Sequence, residues 1–239
     1  MSKLGIKKNT RSNAITYLIV IVAFVLFTIL SNGGVLGRKT VGLLVPACCY
    51  IVMAISLNLT VGILGELSLG HAGFMSVGAF AGVVASTGLS STITSAPLRL
   101  AVAMVIGALF AAIAGFLIGI PVLRLRGDYL AIVTLAFGEI IKEIISCLIV
   151  GTDEKGLHIV FNYNGAKTVD DLGLTPTGTA IIKGAQGATG TQTIASFTAG
   201  FVLIMVALVI VLNFVNSRSG RAVMAIRDNR IAAESVGIN

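Results

Sequence analysis

The 239-residue chain is 56% hydrophobic and only 11% charged, with a formal charge of +7, and its mean hydropathy is +0.98. A soluble domain carries about 25% charged residues, so a soluble fold is excluded; a bilayer absorbs this much apolar surface, because each spanning helix needs only about 20 mostly apolar residues. The basic residues form short clusters between uncharged runs, and there is no Trp, a pattern that follows the positive-inside rule and argues against a nucleic-acid partner.

The chain opens with Lys3, Lys7, Lys8 and Arg11, and no further charge appears until Arg38. Residues 14–30 hold twelve Leu, Ile, Val or Phe, worth about −4 to −7 kcal/mol on the insertion scale. They predict a first spanning helix. A signal peptide shares the basic end and apolar core, but this core is longer. Residues 40–65 form a second run, with Pro46 near its start, where a helix tolerates proline best. Residues 67–98 form a third, interrupted by Gly70, Gly73, Gly78, Gly82 and Gly88. Both a full span and a broken, re-entrant segment fit it, the latter only if protein or water surrounds it.

Residues 100–123 and 129–150 are the fourth and fifth runs. Residues 151–195, polar and rich in Gly and Thr, with Asp153, Glu154, Asp170 and Asp171, predict a loop or small extramembrane excursion, not a core-forming domain. Residues 196–216 are the sixth run, and 217–239 a polar, Arg-rich end. The expected fold is all-α: a polytopic membrane helix bundle of about six spans plus an amphipathic C-terminal helix.

Counting Lys and Arg orients it. With the N-terminus cytoplasmic, the inside receives Lys3, Lys7, Lys8, Arg11, Arg124, Arg126, Arg218, Arg221, Arg227 and Arg230. The outside receives Arg38, Lys39, Arg99, Lys155, Lys167 and Lys183. The balance puts the 151–195 loop outside and the C-terminal segment in the cytoplasm, the more so because long loops count little.

The fifth run carries Glu139, Lys142 and Glu143. At i,i+3 and i,i+4 spacing they share one helix face. Three mid-bilayer charges cost roughly 8–10 kcal/mol, more than the apolar residues of the run return, so they face an aqueous path, pair inside the bundle, or sit at an interface. Ionisable residues inside a membrane are functional candidates by default; an internal ion pair is the structural alternative. His71, in Leu69-Gly70-His71-Ala72-Gly73-Phe74, reads either as a substrate or proton contact or as a packing residue. His158 reads as a solvated loop residue. Gly78-x-x-x-Gly82 and Gly115-x-x-x-Gly119 are small-residue pairs that let helices approach closely.

In the C-terminal segment Ala222, Val223, Ala225, Ile226 and Ala233 form an apolar helix face, with Arg221, Arg227, Asp228 and Arg230 elsewhere. Such a helix docks on a partner or lies on the membrane surface. Cys48, Cys49 and Cys147 lie in apolar runs without metal-ligand spacing. Gly151-x4-Gly156 is followed by Leu157 and His158, so it cannot place a Lys on a phosphate. No cofactor or enzymatic activity is expected, and any ATP must bind to another chain.

Three stretches, in order, carry a resemblance. The first runs from Leu57-Asn58-Leu59 through Gly62-x-x-Gly65-Glu66 to Leu69-Gly70-His71-Ala72-Gly73-Phe74 and Gly78-Ala79-Phe80. The second runs from Leu125-Arg126-Gly127-Asp128-Tyr129 through Thr134 to Gly138-Glu139. The third is the segment from Gly220 to the end. Together they resemble the branched-chain amino-acid permeases of ABC importers, in particular the LivM type.

The resemblance implies a single permease domain over residues 1–239 in the bacterial inner membrane, working with four kinds of partner. These are a second permease subunit, cytoplasmic ATP-binding subunits, an extracytoplasmic substrate-binding protein and membrane lipid. It makes residues 217–239 a cytoplasmic coupling segment, with Gly220, Arg221, Arg227, Asp228, Ala232, Ala233, Glu234 and Gly237 as the ATPase-coupling residues. It places His71, Phe74, Asp128, Tyr129, Thr134 and Glu139 near the translocation path. Family members continue beyond this motif with further spans, so the resemblance also implies a C-terminally incomplete subunit. Urea or a short amide is the alternative substrate. An ATP-independent transporter or channel and an inactive permease fragment are the alternatives of other kinds.

Overall fold

The computed structural model describes residues 2–122, 124–125, 127–153, 156–175 and 178–238, with side chains from residue 13 onward. Arg126, Glu154, Lys155 and the terminal Asn239, named above, lie outside the described residues. The chain folds as two compact units: residues 1–65 with 195–239, and residues 66–194.

The first unit is helical. α1 (Ser2–Asn32) continues the basic N-terminus into the first apolar run without a break. α2 (Arg38–Asn58) passes into a π-helical turn, Leu59–Leu64, which ends at Gly65 in the left-handed conformation (φ +80°). Pro46, expected near the start of its helix, lies inside α2, which begins at Arg38. The carbonyl most threatened by its ring belongs to the residue four back, which is Gly42.

α6 (Phe197–Asn216) packs on α2 around buried Cys48, Ile204 and Leu208, with Tyr17, Val20, Val52 and Ile55 closing over them. Gly200 makes this approach possible: a Cβ there would lie 2.7 Å from Cys48 Cβ. α1 joins through Phe24, which stacks on Phe197 and Phe201 with ring centroids 5.2 and 4.0 Å away. α7 (Arg218–Asp228) and α8 (Arg230–Ser235) complete the unit.

The second unit combines three helices with a small sheet. α3 (His71–Gly88) and α4 (Ala96–Val122) cross on small residues. A Cβ on Gly107 would fall 2.5 Å from the Gly78 carbonyl oxygen, and one on Gly82 would fall 3.3 Å from that of Ala103. The Gly78/Gly82 pair is thus a helix contact, whereas a Cβ on Gly115 or Gly119 would meet nothing within 4 Å among the described residues.

α5 (Asp128–Ser146) buries Leu130, Ala131, Thr134 and Ile141 on one face. It stops short of the run the sequence predicts, and the chain turns into a strand. β1 (Leu148–Asp153) pairs antiparallel with β2 (Gly156–Phe161) and β3 (Thr179–Lys183), in the order β2-β1-β3. Val150, Ile181 and Ile182 are buried, with Phe80, Val83 and Val84 of α3 packed on them.

The sheet corrects the all-α expectation in a chain that is otherwise mostly helical, and it gives residues 151–195 a folded part. The β-branched Ile149-Val150 and the apolar Ile181-Ile182 find a buried pleated surface here, and that overrides the helical period.

Four described helical segments are long and apolar enough to cross a membrane: Asn13–Asn32, Arg38–Leu64, Ala96–Val122 and Phe197–Asn216. α3 and α5, the other two predicted crossings, are not among them.

Candidate functional site

In the second unit, α3 and α5 run side by side because glycine occupies each close approach. A Cβ on Gly70 would lie 2.7 Å from the Thr134 carbonyl oxygen, and one on Gly73 would lie 3.2 Å from Gly138 Cα. Thr134, 6% exposed, locks the crossing. Its Oγ1 accepts the Leu69 N–H at 3.1 Å and donates to the Ala131 carbonyl at 2.9 Å. That bond satisfies a backbone donor in the extended segment just before α3, where no helix partner exists.

Below this crossing the two helices open into a cleft of about 390 Å³. Leu69, Ala72, Gly73, Ser76 and Phe80 form one wall, and Leu135, Gly138, Glu139, Lys142, Ile145 and Ser146 form the other. The turn Gly184–Gln186 and Gly187, after β3, close one end. Gly184 (φ +59°) sits where a Cβ would lie 2.8 Å from the Ser146 carbonyl oxygen.

The walls are mainly apolar, with Ser76, Ser146 and one ion pair as their polar side chains. Lys142 Nζ lies 2.8 Å from Glu139 Oε2, and both side chains are solvent-accessible. An exposed pair of this kind adds little to stability. What it contributes is one fixed positive and one fixed negative group beside an apolar surface.

Of the residues the sequence places near a path, Glu139 lines the cleft and Thr134 braces the crossing above it. His71 and Phe74 are half-buried on α3 and do not line it. His71 Nδ1 is buried and meets no hydrogen-bond partner among the described residues. Asp128 and Tyr129 stand exposed at the start of α5 and are not part of the cleft. The other lining residues, Phe80, Gly138 and Lys142 among them, are not among those the sequence places near a path, although Lys142 is singled out there as a charged neighbour of Glu139. The signal for Lys142 is its i,i+3 spacing from Glu139.

The C-terminal segment of the first unit is two short helices with a break at Asn229, not one. Ser217 caps α7 by accepting the Gly220 N–H at 3.1 Å, and Asn229 caps α8 by accepting that of Ala232 at 3.1 Å. Gly220 is buried against the last turn of α6. A Cβ there would meet the Phe214 carbonyl and lie 2.7 Å from that of Val215. Arg221 donates to the Asn216 carbonyl at 2.6 Å, and Arg227 to that of Gly62 at 2.8 Å.

Asp228 accepts from Arg227 at 2.8 and 3.0 Å, and Arg230 pairs with Glu234 at 2.7 Å. Ala233 is buried and Ala232 exposed. Gly237 (φ +82°) ends α8, its N–H on the Glu234 carbonyl at 3.1 Å. The polar residues of this segment are therefore spent largely on their own chain. The most exposed large apolar residues of the segment are Ile231 and Val236, 81% and 74% exposed, which the sequence does not single out.

Four membrane-length helices and an apolar cleft with a charged rim define a multi-pass membrane protein. The chain belongs to the family described as branched-chain amino acid transport system / permease component, whose model matches residues 39–239. It is 31% identical, over 209 residues, to the high-affinity branched-chain amino acid transport system permease protein LivM of Escherichia coli (strain K12), covering 85% of this chain and 47% of that protein. It is 44% identical, over 108 residues, to the protein of the same name from Salmonella typhimurium, covering 44% of this chain and 23% of that one. The chain thus spans less than half the length of either relative. No solved structure matches it.

Proposed function

We propose that the chain forms the membrane pathway of an ATP-driven importer of branched-chain amino acids in the bacterial inner membrane. The observation that carries this reading is the α3–α5 cleft, built largely by two of the three motif stretches and mainly apolar, with Glu139 and Lys142 as its charged groups. A zwitterion with an aliphatic side chain matches that surface. Its carboxylate would face Lys142, its ammonium Glu139, and its side chain the Leu, Ala and Phe wall.

In this reading α3 and α5 stand as the third and fifth of six membrane segments. The face of α5 bearing Glu139, Lys142 and Glu143 turns to the cleft and to a second permease subunit. Lipid is ruled out for that face by the cost of charges at depth. The N-terminus and α7–α8 lie in the cytoplasm, supported by the Lys and Arg balance. The β1–β3 sheet then lies outside, where a substrate-binding protein delivers its cargo. α7–α8 meets cytoplasmic ATP-binding subunits, and exposed Ile231 and Val236 suit a groove on them.

The test is uptake of labelled leucine, isoleucine, valine and urea by cells that express the chain with its partner subunits and by cells lacking it. Uptake of the three amino acids that depends on the chain supports the reading. Chain-dependent uptake of urea alone replaces the substrate, and no chain-dependent uptake sinks the importer.

A further inference from the structure

The π-helical turn Leu59–Leu64 and the end of α7 lie far apart in sequence and meet in one unit. Arg227 Nη1 donates to the Gly62 carbonyl oxygen at 2.8 Å, across 165 residues. Gly62 lies at the C-terminal end of a helix, where carbonyls lack helical partners and the helix dipole is negative. A guanidinium fits both needs.

Two glycines make room. A Cβ on Gly65 would lie 2.8 Å from both Cγ and Cδ of Arg227, so the Arg stem lies over a residue that must have no side chain. A Cβ on Gly62 would run into the Asn58 amide. Asp228 Oδ1 accepts from Nε and Nη2 of Arg227 at 3.0 and 2.8 Å. The guanidinium is therefore held on two sides, one of them a backbone carbonyl.

We propose that Arg227 is a positioning residue that ties the C-terminal helices to the π turn of α2, so that movement of α7–α8 shifts the end of that membrane helix. Arg227 acts through its own chain; the side chains that touch a partner are others. π-helical turns occur often at functional sites, and this one ends in a left-handed glycine directly beneath the Arg stem. Lysine carries the charge but only a compact ammonium, and cannot hold the carbonyl and Asp228 together as the planar fork does. This inference rests on the permease reading where it concerns transport, but the tie itself does not.

The experiment uses the full chain in two settings. In the transporter, Arg227→Ala lowers uptake about tenfold, the scale of an ordinary coupling energy. Arg227→Lys recovers part of the loss. Gly65→Ala gives the same loss of uptake, and adding it to Arg227→Ala costs little more, because both break one contact.

In the purified chain alone, Arg227→Ala speeds hydrogen exchange of the amides around residues 62–66. Unchanged exchange there overturns the tie whatever the transport result. Loss of ATPase co-purification with Arg227→Ala but not with Gly65→Ala overturns the positioning role in favour of a direct partner contact. Losses that multiply in the double variant overturn it too. If the unmodified chain neither transports nor binds an ATPase while exchange at 62–66 still responds to Arg227, the permease reading fails and the tie stands.

Discussion

Thr134 holds the segment leading into α3 by a single hydroxyl, which takes the Leu69 N–H at 3.1 Å and gives its proton to the Ala131 carbonyl at 2.9 Å. Both partners are backbone, and Thr134 is buried. Thr134→Val keeps the shape and leaves the Leu69 donor unpaired, which costs about 1–3 kcal/mol. Thr134→Ser keeps the hydroxyl and costs less. The expected order of thermal stability in detergent is wild type, Ser, Val. Equal stability of wild type and Val would remove Thr134 from this role.

Small residues set the α3–α4 distance. Gly107→Val puts a branched side chain where even a Cβ lies 2.5 Å from the Gly78 carbonyl oxygen. Overpacking of this kind costs about 1–3 kcal/mol or more. Gly115→Val, on the same helix where a Cβ meets nothing within 4 Å among the described residues, is the control and leaves the α3–α4 crossing intact. Matching losses from both variants, read by thermal melts, would mean that helix propensity and not the crossing is at stake.

The ion pair in the cleft separates function from stability. Glu139→Gln and Lys142→Gln each remove one charge from an accessible pair, so stability changes little. Leucine uptake by the complete transporter is expected to drop several-fold in each. Lys142→Arg retains more activity than Lys142→Gln, because it keeps a cation opposite the carboxylate. Wild-type uptake in both Gln variants would take the pair out of the pathway.

How far the sequence reaches differs by element. The four membrane-length helices are legible because long uncharged apolar runs have no other explanation in a chain this hydrophobic. The apolar run overextends α5 at its C-terminal end, since Leu148, Ile149 and Val150 are equally apolar as helix or strand. Only their pairing with residues 159–161 and 182–183 decides. The Glu139–Lys142 pair that lines the cleft is legible because a charge in an apolar run demands a partner.

Asp128 and Tyr129 are assigned by resemblance and lie away from the cleft. Gly62 and Gly65 are visible as motif residues, but their purpose is not. It depends on an Arg side chain contributed from the far end of the chain, and no local pattern encodes that contact.

Gly220 gives the last prediction. It is buried where α6 ends and α7 begins, and a Cβ there would lie 2.7 Å from the Val215 carbonyl oxygen and 2.9 Å from Val215 Cα. All of these neighbours are backbone, so no side chain can swing aside. Gly220→Ala must therefore shift α7 as a body, and with it the Ser217 cap and the Arg227 contact to Gly62. Removing the cap alone, with Ser217→Ala, costs about 1 kcal/mol, and the alanine at 220 is expected to cost more. The expected signature is faster hydrogen exchange both in α7 and around Gly62, with α1 unaffected. Faster exchange confined to α7 would show that the end of α2 keeps its place without help from the C-terminal helices.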